Sequence, residues 1–166
     1  MGIVDPFIME LDQEAAITKR VLERVPNDKL AWKPHAKSMS LGQLALHVAT
    51  TPAQVAAILS ESEMEMPEFI DYPAAKTTAE LIPTLDESIA RAKEVLNDLD
   101  DKAAMSTWRM TRNGKDLLAI PRIGVVRTIM LNHWYHHRGQ LSVYLRLLNV
   151  AVPAIYGPSA DENPFA

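Results

Sequence analysis

The 166-residue chain contains no cysteine, and this absence removes several kinds of chemistry. Without thiols the fold has no disulfide bond, no zinc site with thiolate ligands and no cysteine nucleophile. Aromatic residues are also few, with 3 Phe, 4 Tyr and 3 Trp, whereas alanine, leucine and methionine are abundant, which favours helices. A chain of this length fits one domain, so we expect residues 1–166 to form a single unit.

The sequence also lacks an excess of positive charge and any long apolar run. Its formal net charge is −4, which argues against nucleic acid as the main partner because phosphate binding requires a basic face. No apolar run approaches the roughly 20 residues that a membrane span needs. The first residues are acidic and do not resemble a signal peptide. These absences predict a soluble, cytoplasmic protein whose partners are neither nucleic acids nor membranes.

Apolar residues recur at helical spacing in four segments, so the sequence predicts an all-α chain. The predicted helices extend over residues 6–25, 40–58, 77–99 and 122–148. Ser40 followed by Gln43, and Thr77 followed by Glu80, are capping-box patterns that mark the starts of the second and third helices. Pro52 falls inside the second helix and predicts a kink or a local break.

Two segments between the helices are irregular. Residues 61–76 form a link long enough to cross the molecule, so it leaves the order of the helices open. Residues 100–121 contain the dipeptide Asn113-Gly114 between partly apolar flanks, which is a hairpin signal. We expect a short excursion there, and the dipeptide favours two strands.

Two histidines on the fourth predicted helix are the strongest chemical signal. His133 and His137 are four residues apart, which places their imidazoles on one helical face with Cβ atoms about 6 Å apart. A helical wheel puts Gln140 and Tyr144 in the same stripe, so we expect this face to point into the core. Arg138 falls far from the stripe. Because Trp134 follows His133, the pattern is not HExxH and contains no built-in general base.

Two interpretations of this histidine pair remain open from the residues alone. The pair binds a metal ion, or each imidazole is satisfied by polar partners in the core. His47 lies on the inward face of the second predicted helix, and a lone inward histidine is more often a core residue than a ligand. We expect His136 to flank the site or to hydrogen-bond across a helix interface, and Trp134 and Tyr135 to make packing or dimer contacts.

Three stretches of the chain resemble one known family. Residues 133–146 look like the closing helix of DinB/YfiT-like proteins, residues 41–49 resemble their second helix, and residues 152–162 are similar to a tail found in one branch. The resemblance covers nearly the whole chain. It implies a four-helix bundle, often a homodimer, with one divalent metal ion on three histidines.

The resemblance also assigns residues and chemistry. It implies His47, His133 and His137 as ligands of a single divalent ion. Imidazole ligands make Zn, Ni, Fe, Co and Mn the candidates, and the sequence does not choose among them. Some relatives have glutamate at the position of His133, and histidine here makes the ligand set neutral. Family members of known activity use low-molecular-weight thiols, as S-transferases or isomerases. Many others are named only for induction by DNA damage, which describes regulation.

Three functions follow as expectations. The first is a metal-dependent enzyme that transfers a small-molecule thiol to an electrophilic small-molecule substrate. The second is a metal-dependent hydrolase, for which Gln140 and Tyr144 are the nearby catalytic candidates although neither is a good base. The third is a non-catalytic metal-binding stress-response protein. Tyr156 and Asp161 in the tail are candidates for substrate binding, and the alternative is that the tail packs along the helices or a dimer partner.

Overall fold

The computed structural model describes residues 2–166, so Met1 of the expected 1–166 domain lies outside the described part. The helices are α1 (Asp5–Leu22), α2 (Leu41–Leu59), α3 (Leu81–Asn97), α4 (Asp101–Met105), α5 (Arg122–Val125) and α6 (His133–Leu147). A π-helical segment, Val126–Asn132, joins α5 to α6. The strands are β1 (Glu63–Glu65), β2 (Thr107–Arg112) and β3 (Lys115–Pro121).

The chain is mostly helical and carries a small three-stranded sheet, which corrects the all-α expectation. Strands β2 and β3 form the expected antiparallel hairpin, and Asn113 and Gly114 turn it with φ of 52° and 71°. Both residues tolerate this left-handed backbone, which suits the twist of a two-residue hairpin turn. Strand β1 pairs in parallel with β2 and lies in the link expected to be irregular. Its three residues are too few for alternation to be visible in the sequence.

The four long helices pack around one apolar core. Helix α2 contacts α3 and α6, and α1 contacts α3 and α6 from the other side. Trp108 from β2 and Trp134 from α6 are fully buried, and their indole N–H groups donate to the carbonyls of Ile58 and Val48 at 3.0 and 2.8 Å. Trp134 therefore packs in the core between α6 and α2. Within residues 2–166, no helix combines the length and the apolarity that crossing a bilayer requires.

Helix α2 does not break at Pro52. Proline has no N–H to donate to the carbonyl four residues earlier, which is that of Val48. The indole of Trp134 donates to this carbonyl instead, and the Ala53 N–H donates to Ser88 Oγ at 2.9 Å. Tertiary partners thus satisfy the polar groups that the proline disturbs, and the helix continues.

The buried stripe of α6 differs from the one that the helical wheel predicts. Its fully buried residues are Trp134, Arg138, Leu141 and Leu145, whereas His133, His137 and Tyr144 are only half-buried and Gln140 is exposed. Helix α6 packs on both α1 and α2, so its core face points between them. The histidine face therefore lies beside the core, at its edge.

Candidate metal centre

Three histidines from two helices meet at one point. His47 lies near the middle of α2, His133 is the first residue of α6 and His137 follows one turn later. The Nε2 atoms of His47 and His133 are 3.1 Å apart, and one ligand nitrogen from each of the three rings lies within 4.8 Å of the others. The ring centroids are 4.3–5.3 Å apart and the rings are nearly perpendicular in pairs.

Local structure on both helices positions these rings. Helix α2 begins at a true capping box, because Ser40 Oγ accepts from the Gln43 N–H at 3.1 Å and Gln43 Oε1 accepts from the Ser40 N–H at 2.9 Å. The π-helical segment ends at Asn132, one residue before His133. Such wide turns often occur at functional sites. Trp134 then fixes α6 against α2 through its bond to Val48, next to His47.

Gln140 orients the ring of His137. Its Oε1 atom accepts a hydrogen bond from Nδ1 of His137 at 2.8 Å. With the proton on Nδ1, the lone pair of Nε2 is free to bind an ion. This contact places Gln140, one of the two catalytic candidates predicted from the sequence, next to His137 and at a position exposed to solvent.

The histidines are neutral at physiological pH. Burial and, to a smaller extent, the positive charges that His137 and His133 would carry together lower the pKa of His47 to about 4. Burial also lowers the pKa of His137 to about 4, although the hydrogen bond to Gln140 opposes the shift. The pKa of His133 is lowered as well, first by burial and then by His136.

A divalent metal ion fits this donor set. Metal ligation needs neutral imidazoles with free lone pairs, and the lowered pKa values and the His137–Gln140 bond provide them. Two nitrogens bound tetrahedrally to zinc are separated by roughly 3.3 Å, since each Zn–N bond is about 2.0–2.1 Å. The 3.1 Å between the Nε2 atoms of His47 and His133 is close to this value.

An apolar cavity of about 500 Å³ lies beside two of the three histidines. His47 and His133 line it, and the link between α2 and α3 covers it. The Tyr72 ring of this link packs edge-on against the His47 ring, with centroids 5.2 Å apart. The backbone carbonyl of Tyr72 accepts from Gln43 Nε2 at 2.8 Å. This wall of the site was not predictable from the sequence, because residues 61–76 show no regular pattern.

Other predicted site residues lie around the three histidines. His136 is exposed, and its ring centroid is 5.0 Å from that of His137, so it flanks the site. Tyr144 packs against Trp32 with centroids 5.6 Å apart, and its hydroxyl donates to the Met39 carbonyl at 3.3 Å.

The tail residues Tyr156 and Asp161 contact α1 and α6 and are not among the residues that line the cavity. The Tyr156 hydroxyl donates to Glu14 Oε2 at 3.0 Å. Asp161 pairs with Arg146, and its Oδ2 accepts from the Val152 N–H at 2.8 Å. These contacts pack the tail along the helices, and substrate binding by the two residues stays a prediction.

A buried ion pair on the other side of α6 escaped the sequence analysis. Arg138 is 1% exposed, and its Nη2 lies 2.6 Å from Glu14 Oε2 while its Nη1 donates to Thr18 Oγ1 at 3.0 Å. The rings of Tyr135 and Tyr156 lie 5.1 Å from its guanidinium. The available signal was spacing, because Arg138 falls at helical intervals from Trp134, Leu141 and Leu145.

A family model described as the DinB family matches residues 4–164 of this sequence. The chain belongs to the DinB family. One relative is YrdA of Bacillus subtilis (strain 168), described as uncharacterized, which is 26% identical over 167 residues that cover 96% of this chain and 91% of YrdA.

Solved structures show the same DinB fold. A DinB-like protein from Bacillus cereus ATCC 10987 superposes with a TM-score of 0.71 and 21% identity, over 92% of this chain and 97% of that one. A mycothiol-dependent maleylpyruvate isomerase superposes with a TM-score of 0.54 and 13% identity, over 90% of this chain and 64% of that one. At these identities the likeness concerns the fold alone.

Proposed function

We propose that this DinB family protein is a metal-dependent enzyme that transfers a low-molecular-weight thiol to an electrophilic small molecule. The observation that carries the proposal is the meeting of His47, His133 and His137, whose ligand nitrogens lie within 4.8 Å of one another. These three residues would hold one divalent ion, with Zn, Ni, Fe, Co and Mn as the candidates. Three protein ligands and an open position are typical of catalytic sites, whereas structural zinc sites have four.

A divalent ion on three neutral ligands supplies a Lewis acid that lowers the pKa of a thiol or a water molecule toward neutrality. The chain has no cysteine, so a thiol nucleophile has to arrive with a cosubstrate. A protein of the same fold carries the name mycothiol-dependent maleylpyruvate isomerase. That name supports a small-molecule thiol as the cosubstrate here.

The chain's own residues contribute orientation and a dry environment. Gln140 holds the His137 ring in one tautomer and one direction. The cavity beside His47 and His133 is apolar, so it removes water from an electrophile and places it next to the imidazoles. His136 and Gln140, next to His137, are exposed to solvent, and a second, polar reactant would approach the ion from there.

Histidine-to-alanine variants test the proposal. Isothermal titration with Zn²⁺ should give one equivalent for the wild type, and His47→Ala, His133→Ala and His137→Ala should each lose tight binding. His35→Ala is the matched control, because His35 is exposed in a loop, and it should bind normally.

Metal-loaded protein should then couple a cellular thiol to a chlorinated nitroaromatic faster than His137→Ala does. Tight zinc binding that survives all three substitutions would refute the centre.

The alternatives make different predictions. A hydrolase would cleave ester or amide substrates, and its rate would change with pH near neutrality. Added thiols would not change that rate. A non-catalytic metal-binding protein would lose much of its thermal stability on chelation, because the ion would hold the helices together. We expect chelation to lower the Tm only modestly, since the buried core is continuous without the histidines.

The single domain, cytoplasmic location and homodimer stay predictions of the sequence.

A further inference from the structure

Each of the two clustered histidines on α6 is followed directly by a buried, hydrogen-bonded side chain. Trp134 follows His133 and donates to a backbone carbonyl of α2 at 2.8 Å. Arg138 follows His137, and its guanidinium reaches α1, where Nη2 lies 2.6 Å from Glu14 Oε2. One anchor therefore holds α6 against α2, and the other holds it against α1, a helix that carries none of the three clustered histidines.

The anchor on α1 is directional. Arg138 Nη1 donates to Thr18 Oγ1 at 3.0 Å and to the Glu14 carbonyl at 3.3 Å, and Nη2 donates to the Tyr156 hydroxyl. Arg138 is 1% and Glu14 8% exposed, so water does not replace these partners. A planar guanidinium whose two terminal nitrogens meet fixed acceptors can hold only one orientation.

Stability alone does not account for this ion pair. Burying two charges costs hydration, and well-packed apolar residues of similar volume are often as stable or more stable in the same place. The rest of the buried stripe of α6, which is Trp134, Leu141 and Leu145, already packs the helix on the core. Apolar contacts have no preferred direction. What the ion pair adds is a fixed rotation of α6 relative to α1.

The histidine cluster depends on this rotation. Side-chain ends lie about 6 Å from a helix axis, so a rotation of about 20° moves a ring nitrogen by about 2 Å. Metal–ligand distances tolerate only about 0.2 Å. The seven-residue π-helical segment Val126–Asn132 precedes α6, and π-helices are rare beyond a single turn. Continuity with α5 as a regular α-helix therefore does not set the rotation of α6.

We propose that Glu14 and Arg138 are positioning residues of the metal centre. Their ion pair fixes the rotation of α6 and thereby the place of His137 relative to His47. The inference rests on the proposed function, because it needs an ion on the three histidines. It adds to the site a helix without a ligand, so that substitutions which remove the pair change how the ion is bound.

A double variant separates positioning from stability. Glu14→Leu/Arg138→Met replaces the ion pair by apolar side chains, so most of the free energy of unfolding should be retained. We expect its affinity for Zn²⁺ to fall at least 10-fold and the absorption bands of bound Co²⁺, which report coordination geometry, to shift. Arg138→Lys keeps the charge without the planar fork and should show both changes. Competition with a chromophoric chelator measures affinity, and urea unfolding measures stability.

Two further variants complete the test. Leu96→Ala removes a fully buried side chain of α3 and leaves the ion pair intact, so it should destabilise the protein without changing the zinc affinity or the cobalt spectrum. Thr18→Val removes one acceptor of the guanidinium at nearly constant volume and retains both charges. It should fold even where a charge variant does not, and it should lower the zinc affinity in the same direction by a smaller factor.

The outcomes separate the two proposals. Wild-type zinc affinity and cobalt spectrum in the folded double variant and in Arg138→Lys would overturn the positioning role, and so would wild-type values in Thr18→Val if those two do not fold. An equal loss of affinity in Leu96→Ala would also overturn it, because general loosening would then explain the effect. A wild type that binds no zinc loses the proposed function, and this inference falls with it.

Discussion

Gln140 decides which nitrogen of His137 is free to bind an ion. Gln140 Oε1 accepts from Nδ1 of His137, so a Gln140→Ala exchange removes the contact that fixes the tautomer and the orientation of the His137 ring. We expect the affinity for Zn²⁺ to fall by about 10-fold or more, measured by competition with a chromophoric chelator. Gln140→Glu keeps an acceptor at the same position and should retain the affinity. Identical affinities for the wild type and the alanine variant would contradict this role.

The half-buried imidazoles also make the metal-free protein sensitive to acid. The pKa values of His47 and His137 fall to about 4 in the folded state, compared with about 6.5 for an unfolded histidine. Between these values the unfolded chain binds more protons, so the free energy of unfolding decreases as the pH falls from about 6.5 toward 4. Above pH 7 this contribution is constant.

Urea unfolding of the metal-free protein between pH 5 and 7 measures this slope. His137→Gln removes one half-buried ring whose pKa is lowered in the folded state, so its slope should be smaller than that of the wild type. The same pH dependence in the wild type and His137→Gln would show that His137 does not contribute.

At the scale of elements, the Val48 carbonyl joins α2 to α6, because Pro52 leaves it without a helical donor and Trp134 donates to it instead. Trp134→Phe should destabilise the protein by about 1–3 kcal/mol, because the Val48 carbonyl loses its donor while buried. In a Pro52→Ala background the new N–H of residue 52 can donate to the same carbonyl. The loss caused by Trp134→Phe should therefore be smaller in that background, and a double-mutant cycle by urea unfolding measures the difference. If the effects of Trp134→Phe and Pro52→Ala on the free energy of unfolding simply add, the N–H of residue 52 does not replace the indole as donor to the Val48 carbonyl.

The elements also show where sequence patterns succeed. The capping box at Ser40 and the hairpin turn at Asn113 were predictable, since each depends on residues at most three positions apart. Strand β1 was not predictable, because its partner β2 lies over forty residues away and its own pattern is too short. The buried face of α6 was predicted wrongly. A helical wheel shows which residues share a face, but the neighbouring helices decide which face is buried.

At the scale of the whole molecule, the Arg138–Glu14 pair connects α1, α6 and the tail. Arg138→Met leaves the Glu14 carboxylate buried without its partner and should cost about 3–5 kcal/mol. Arg146→Met is the matched control, because the Arg146–Asp161 pair is exposed on the arginine side and its loss should cost far less than loss of the buried pair. Chemical denaturation measures both. Similar costs for the two variants would show that burial of the first pair is unimportant.

The sequence by itself determined the local features of this protein: the helical segments, the hairpin turn and the common face of His133 and His137. These depend on backbone propensities and on spacings of a few residues, which do not change with the rest of the fold. Only the tertiary structure decided that His47, 86 residues before His133, meets the pair, that an apolar cavity adjoins them and that Arg138 is buried. Packing of α2 and α1 against α6 determines these distances, and no local pattern encodes that packing.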